Sequence, residues 1–239
     1  MPTIAIVNRS AHADLPRVLP DVVRALGRQL ARDLSPVWGR PVPSLELTEL
    51  PSLRSAQIVI LDDPDQADAL GYHSETPEGL EYGRVFVEPI LSHGGSLSEG
   101  PNAVSVTLSH ELLEMIGDPG VNLWADAEDG YSYAIELCDA CQAAAYDIDG
   151  VSVADFVYPS FFDPDPILDP TRRYDHLGLI ARPFETLNGG YQIRRAVGAG
   201  RIEHVYAGAM SSWLRAAKKH PAARSRKRML AHPSPEIVT

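Results

Sequence analysis

A histidine and two glutamates stand near the middle of this chain at a spacing that suits metal chemistry. His110, Glu111 and Glu114 belong to the run His-Glu-Leu-Leu-Glu. On a helix His110 and Glu114 lie one turn apart on the same face, so an imidazole nitrogen and a carboxylate oxygen can converge on one divalent cation. Glu111 is turned about 100° from His110 around the helix axis, so it can reach a nearby water without binding the cation. The three residues predict a metal site with Glu111 as general base.

A further ligand has to come from outside this helix, because catalytic zinc takes three protein ligands and keeps one open position. Glu136 and Asp139 form a second acidic pair in an otherwise apolar stretch, where a carboxylate without a cation is costly to bury. We rank Glu136 first and Asp139 second as ligands. Asp118, eight residues after His110, ranks third, and His176 is an outside candidate.

The helix that would carry the motif is predicted from about Leu108 to Ile116. Asn102 can cap its start, and Gly117 and Pro119 are typical of a helix end. The residues before Leu108 also alternate as a strand would, so the sequence leaves the start of the helix open.

The other patterns predict strands and helices in the N-terminal half and hairpins in the C-terminal half. They indicate an α/β (α+β) fold class, with one domain over residues 1–211. The predicted elements are strands at 3–8, 56–62 and 83–89, a helix over 15–34, loops at 71–79 and 124–130, and hairpins turning at Asp149-Gly150 and at Gly198-Ala199-Gly200.

Charge is distributed unevenly along the chain. Seven of the 21 Lys and Arg residues lie between Arg215 and Arg228, and Glu236 is the only acid after Ser211, so residues 212–239 carry about +6 of the net charge of −11. The acidic remainder would repel nucleic acid. We therefore expect no nucleic-acid partner except through this basic C-terminal tail, residues 212–239, which we predict to be disordered.

The chain gives no sign of a membrane or secretory role. No apolar run approaches the roughly 20 residues that cross a bilayer. Residues 1–7 lack the basic start of a secretion signal. We expect a cytoplasmic protein with no membrane partner.

The two cysteines, Cys138 and Cys141, are spaced as CxxC and are too few for a four-cysteine zinc site. Their acidic neighbours Glu136 and Asp139 would raise the thiol pKa and so oppose redox catalysis. We interpret them as buried thiols. A local disulfide or an auxiliary metal contact remains open.

The motif resembles that of a known enzyme family. Residues 1–118 resemble the N-terminal half of a zincin-fold metallopeptidase, and His110-Glu111-x-x-Glu114-x-x-Gly117 resembles the longer metzincin pattern. Gly120 stands where that pattern has its third ligand, so a downstream ligand such as Glu136 would look more like the gluzincin arrangement. The resemblance implies a zincin-like mixed sheet, a bound Zn²⁺ and hydrolysis of peptide bonds in a peptide or protein substrate.

The resemblance also implies where the substrate would lie. Residues 83–87 would be the edge strand over the active-site helix, to which a peptide could pair by strand addition. The aromatic segment 156–162 would form a wall of the pocket, with Tyr158 as a catalytic hydrogen-bond donor to the transition state. The alternative is that these aromatic residues pack in the core.

Glu114 in place of a second histidine changes what the metal can do. One histidine with two carboxylates cancels the charge of a divalent cation, so a carbonyl would be polarised less strongly. The oxygen-rich ligand set also weakens the advantage of Zn²⁺ over Mn²⁺ or Fe²⁺. We expect a slow or selective hydrolase, or a site for another metal. The alternative is a degenerate, non-catalytic zincin-fold binding module or a structural component of a larger assembly.

Overall fold

The structure is a computed structural model, and it describes residues 3–52, 54–66, 69–163, 173–198 and 200–219. Its helices are α1 (Leu15–Arg28), α2 (Ser35–Trp38), α3 (Val87–Leu91), α4 (Val104–Gly117), α5 (Pro159–Phe162) and α6 (Ser212–Lys218). Its strands are β1 (Thr3–Asn8), β2 (Ser44–Leu47), β3 (Ala56–Leu61), β4 (Gly71–Glu75), β5 (Glu81–Phe86), β6 (Trp124–Asp126), β7 (Tyr131–Ala134), β8 (Ala145–Ile148), β9 (Val151–Ala154), β10 (Tyr191–Ala196) and β11 (Ile202–Tyr206). The predicted α/β (α+β) fold class is confirmed.

Five strands form a mixed sheet in the order β2-β1-β3-β5-β4. The first four run parallel, and β4 runs antiparallel to β5. β1 and β3 lie inside the sheet, which accounts for their continuous apolar runs. The predicted strands at 3–8 and 56–62 are confirmed to within one residue.

The predicted helix over residues 15–34 is also confirmed. It is formed by α1 and a continuing π-helical segment, Gln29–Leu34. Its buried apolar face packs in the same core as the sheet residues Ile6, Ile58 and Ile60 and the helix α4. This core places α4 against one face of the sheet.

The predicted edge strand was wrong. Residues 83–86 belong to β5, which pairs with β3 on one side and β4 on the other. The edge is β4, within the segment 71–79 that we predicted as a loop. A turn reverses the chain there, with Gly79 N donating to Thr76 O at 2.9 Å and Gly79 at φ 80°. β4 has no apolar alternation, so a pattern of burial could not identify it.

Helix α4 is longer than predicted and is almost wholly buried. It begins at Val104, and Ala103 rather than Asn102 occupies the N-cap position. The strand alternative for residues 104–108 is therefore wrong, while the predicted end at Gly117 is confirmed. A helix buried on most sides has few sites for charged residues, so each acidic group on it needs a partner.

The C-terminal half contains the antiparallel sheet β11-β10-β7-β6 and the hairpin β8-β9. Both predicted hairpins are confirmed. Asp149 and Gly150 have φ of 53° and 81°, which is the backbone conformation that a two-residue hairpin turn requires. The segment 124–130, predicted as a loop, begins with the short strand β6.

The first part of the predicted tail is a helix. In α6 the Ser211 side chain accepts a hydrogen bond from Leu214 N at 3.1 Å, and Ala217 is buried. Trp213 and Leu214 pack against the main core, so residues 212–218 are held by apolar contacts. Residues 220–239 lie outside the described residues. Within the described ranges, no helix has the length and apolar character needed to cross a bilayer.

Candidate metal centre

Helix α4 brings His110 and Glu114 together as the spacing predicts. His110 Nε2 lies 3.1 Å from Glu114 Oε1. Two ligands of one tetrahedral zinc ion, each at about 2.0–2.1 Å, are separated by about 3.3 Å. The two donor atoms therefore already stand at the distance of neighbouring ligands.

The second acidic pair approaches this helix across Gly117. A Cβ on Gly117 would lie 2.2 Å from Leu137 Cδ1, so only a glycine lets the chain around Leu137 pack so closely on the end of α4. Next to Leu137, Cys138 N donates to Glu114 Oε1 at 3.2 Å. Asp139 Oδ1 lies 3.2 Å from His110 Nε2. The glycine of the motif thus positions the segment that carries the further ligands.

Sequence reasoning missed a second histidine, His73. It lies on the edge strand β4, and its Nδ1 is 3.4 Å from Glu114 Oε2 and 3.5 Å from Glu111 Oε2. Its Nε2 is 3.8 Å from Glu136 Oε2. The only available signal was the turn at residues 76–79, which predicts a strand before it as well as after it.

Donor atoms of this cluster lack hydrogen-bond partners among the residues that the structure describes. They are His73 Nε2, Glu136 Oε2 and Asp139 Oδ1, and all three are buried. Buried polar atoms are almost always paired, so orphaned donors and acceptors at one place indicate a missing partner. The oxygen and nitrogen atoms are those that bind first-row divalent metals. The residues present therefore fit a cation.

The cluster carries an excess of negative charge. Four carboxylates, from Glu111, Glu114, Glu136 and Asp139, surround two imidazoles. Burying that many carboxylates is expensive unless positive charge accompanies them.

The imidazoles respond by holding protons more tightly. Burial alone would lower the pKa of His73, but the Glu111 and Glu114 carboxylates raise it to about 11. Burial likewise opposes protonation of His110, and the carboxylates of Glu114 and Asp139 raise its pKa well above the usual value. In the absence of a metal, protons supply the missing positive charge.

The carboxyl groups of Glu136 and Asp139 also hold their protons more tightly than usual. Burial, and then repulsion from Glu114 and Asp139, raises the pKa of Glu136 well above its usual range. Burial and the Glu114 charge raise the pKa of Asp139 to about 6. Perturbed carboxyl groups clustered in one place are a feature of functional sites as well as of structural ion pairs.

Glu111 lies beside the cluster at the wall of a cavity of about 300 Å³. The side chain is 6% exposed. Other residues of the wall include His110, Asp139, Val106, Tyr191 and Trp213. A substrate group in this cavity would stand next to both Glu111 and His110.

The strand β10 places a tyrosine at this cavity. A Cβ on Gly190 would lie 2.5 Å from Ala140 O, so the glycine allows β10 to begin directly against the turn at Asp139–Cys141. The next residue, Tyr191, lines the cavity together with Asp139, and burial followed by the charge of Asp139 raises the pKa of Tyr191 well above its usual value. Sequence reasoning proposed no role for Tyr191.

Tyr158, the predicted catalytic tyrosine, stands elsewhere. Its hydroxyl lies 3.2 Å from His176 Nδ1, and its ring faces the Arg173 guanidinium. Phe156, Phe161 and Phe162 are buried in apolar clusters, so the aromatic segment packs in the core, as the alternative interpretation holds. Residues 156–162 do not line the cavity beside Glu111, whereas Tyr191 of β10 does.

The two lower-ranked ligands have other partners. Asp118 Oδ2 accepts a hydrogen bond from Leu123 N at 2.8 Å and so fixes the loop that follows α4. His176 Nε2 lies 3.9 Å from Asp33 Oδ2, and its ring stacks on Phe156. Neither contact belongs to the cluster around Glu114, but Asp118 is near enough to Glu136 to raise its pKa, and Asp118 Oδ1 is buried without a hydrogen-bond partner among the described residues.

Both thiols are buried and free, as we interpreted them. Burial, followed by the charge of Glu114, raises the pKa of Cys138 well above its usual value. Its Sγ is close enough to His110 and Glu114 for the three donor atoms to lie within 4.8 Å of one another. The auxiliary metal contact therefore has a geometric basis for Cys138.

Comparisons of the chain with family models, with curated proteins and with solved structures found no match.

Proposed function

We propose that this protein is a metal-dependent hydrolase that cleaves peptide bonds, with Zn²⁺ as the first candidate metal and Mn²⁺ or Fe²⁺ as alternatives. The observation that carries the proposal is the convergence of His110, Glu114 and Asp139 next to the cavity that Glu111 lines. Asp139 Oδ1 is buried and makes no hydrogen bond among the described residues, although it lies 3.2 Å from His110 Nε2.

The protein residues have separate roles in this proposal. His110 and Glu114 hold the metal with Asp139 as the further carboxylate, whereas Glu136, which the sequence ranks first, groups with His73 and Glu114. A divalent cation bound there would polarise a substrate carbonyl and lower the pKa of a bound water towards about 7. Glu111 takes the proton of the attacking water and delivers it to the leaving amine.

The edge strand β4 supports an extended peptide as substrate. Phe86 N donates to Leu70 O at 2.9 Å and Thr76 N to Leu80 O at 2.9 Å. These two bonds show that Leu70 and Thr76 direct their backbone groups towards β5. Hydrogen-bonded and non-hydrogen-bonded residues alternate along an antiparallel strand, so the backbone N–H and C=O groups of Gly71, His73 and Glu75 point away from β5. A peptide strand could pair with these groups and pass the cavity beside Glu111.

The test is the substitution Glu111→Gln. It removes the proton acceptor and keeps the shape of the side chain, so we expect turnover of a peptide library to fall at least about 100-fold. The ratio of bound metal to protein, measured by elemental mass spectrometry, should stay unchanged. The matched control is Glu46→Gln, an exposed glutamate on β2 at the opposite edge of the sheet, which should leave turnover intact.

The same measurements distinguish the proposed hydrolase from the alternative, which is a non-catalytic zincin-fold binding module or a structural component of a larger assembly. That alternative predicts a metal-to-protein ratio near zero and a melting temperature that chelator leaves unchanged. Retained turnover in Glu111→Gln would remove Glu111 from the mechanism. A His110→Ala variant with full metal content would remove His110 from the ligand set.

A further inference from the structure

Glu114 directs its two oxygens to different groups. Oε1 lies 3.1 Å from His110 Nε2 and accepts a hydrogen bond from Cys138 N. Oε2 lies 3.4 Å from His73 Nδ1. A single buried carboxylate therefore stands between two imidazoles that come from separate elements, α4 and β4.

Two groups of potential ligands share this carboxylate. One consists of His110, Glu114 and Cys138, and the other of His73, Glu114 and Glu136. Within each group the donor atoms all lie within 4.8 Å of one another. The second group shares with the first nothing but Glu114, so it is a separate place where a cation can sit.

The second group also lacks partners of its own. His73 has a side chain that is only 6% exposed, and its Nε2 has no hydrogen-bond partner in the described part of the chain. The same holds for Glu136 Oε2, which lies 3.8 Å from that nitrogen. This nitrogen and this carboxylate oxygen approach each other in the protein interior without a hydrogen bond between them.

A second divalent cation would balance the charge of the cluster when its imidazoles are neutral and its carboxyl groups are ionised. With neutral imidazoles, its four carboxylates carry a formal charge of −4. One divalent cation leaves −2 in a buried site, and a second brings the formal charge to zero. Uncompensated buried charge is among the most costly features a fold can carry.

We propose that the site binds two divalent cations, with the Glu114 carboxylate bridging them. The second cation is held by His73 and Glu136, while the first takes His110 together with a donor from Asp139 or Cys138. This inference rests on the proposed metal site and adds a second ion to it. Pairs of catalytic metals are commonly about 3.5–4 Å apart, a separation that one carboxylate can span.

The competing explanation is that His73 is a protonated counter-ion. In that case its positive charge replaces the second metal, and the protein binds one cation. The two explanations differ in metal count, which can be measured without any substrate.

The experiment is to strip the purified protein with chelator, load it with Mn²⁺ and count the bound metal. We expect two Mn²⁺ per chain and the electron paramagnetic resonance spectrum of a spin-coupled pair. Glu136→Gln, which preserves shape, and His73→Ala should each lower the count to one and give the six-line spectrum of an isolated ion. The control Glu46→Gln changes an exposed glutamate on β2, at the far edge of the sheet, and should keep two.

The outcomes distinguish this inference from the proposed function. If the unchanged protein binds one Mn²⁺ per chain, the second site is refuted, whatever the count in His73→Ala. That result is still compatible with a single-metal hydrolase. A count of zero for Mn²⁺, and again for Zn²⁺ when the loading is repeated with that ion, overturns both. Circular dichroism identifies a variant that fails to fold, and Glu136→Gln then carries the test in place of His73→Ala.

Discussion

Gly71 is the residue at which the edge strand comes closest to the proposed general base. A Cβ at this position would lie 2.7 Å from Glu111 Oε1 and 2.9 Å from Thr107 Cγ2. Real Cβ atoms do not approach that closely, so any other residue would push the carboxylate of Glu111 or the strand itself. A glycine in a strand often marks such a close approach.

We therefore predict that Gly71→Ala displaces Glu111 and lowers turnover by about 100-fold, the effect of a misplacement of about 1 Å at a reacting group. Metal content should persist. The control is Gly27→Ala in α1, where a Cβ would meet nothing within 4 Å and should leave turnover unchanged. Full peptidase turnover in Gly71→Ala would show that the position of Glu111 does not matter.

Glu114 shows why a carboxylate can replace the second histidine of the motif. A histidine offers one nitrogen to a metal, whereas the carboxylate of Glu114 faces His110 with one oxygen and His73 with the other. The residue at which this chain departs from the pattern that its motif resembles is thus also the one whose second oxygen contacts His73.

At the scale of elements, the site depends on how the segment after β7 docks against α4. Leu137 is fully buried and covers Gly117, and its neighbours Glu136 and Cys138 are thereby held next to Glu114. This apolar contact therefore fixes the positions of the potential metal-binding atoms of Glu136 and Cys138.

We predict that Gly117→Ala destabilises the fold by about 1–3 kcal/mol, the usual cost of overpacking a core, and weakens Mn²⁺ binding. Chemical denaturation and metal titration measure the two effects. The double variant Gly117→Ala/Leu137→Ala removes the clashing methyl groups and should recover metal affinity relative to Gly117→Ala. Strictly additive losses would show that the two residues do not act through this contact.

Elements were predictable where a local pattern defines them. The apolar runs of β1 and β3, the helical spacing of α1 and the Asp149-Gly150 turn each identify an element from neighbouring residues alone. β4 was missed because its residues are only partly buried, and its pairing with β5 is what makes it a strand.

At the scale of the whole molecule, a pair of buried carboxyl groups joins the chain after β9 to residues 173–180. Asp155 Oδ1 accepts hydrogen bonds from Phe156 N at 2.9 Å and Leu177 N at 3.1 Å. Asp175 accepts from Leu179 N and Ile180 N, both at 2.9 Å. Burial and the adjacent Asp175 raise the pKa of Asp155 to about 8.

This pair makes stability depend on pH. An unfolded Asp loses its proton near pH 4, whereas Asp155 in the folded protein keeps its proton up to about pH 8. Between these values the folded state binds more protons, so this group lowers the free energy of unfolding as pH rises. Above about pH 8 its contribution is constant.

We predict that Asp155→Asn removes this dependence, because the amide can donate to Asp175 and still accept from Phe156 N and Leu177 N. Denaturation at pH 5 and at pH 8 should show the variant gaining stability over the unchanged protein as pH rises, by a few kcal/mol. The control Asp21→Asn, exposed on α1, should give no such trend. A constant difference between the two proteins would refute the raised pKa.

The sequence by itself determined the local part of this site. His110 and Glu114 had to share a helix face because the helix repeat is set by the backbone, and Glu136 and Asp139 were identifiable as costly acids among apolar neighbours. The tertiary structure alone decided that His73 lies beside Glu114, that Tyr191 lines the adjacent cavity and that Tyr158 lies against His176 instead. Those positions depend on strand pairing and on contacts of glycines with residues far apart in the chain. The periodicity of a sequence reports only on neighbouring residues, so it cannot predict them.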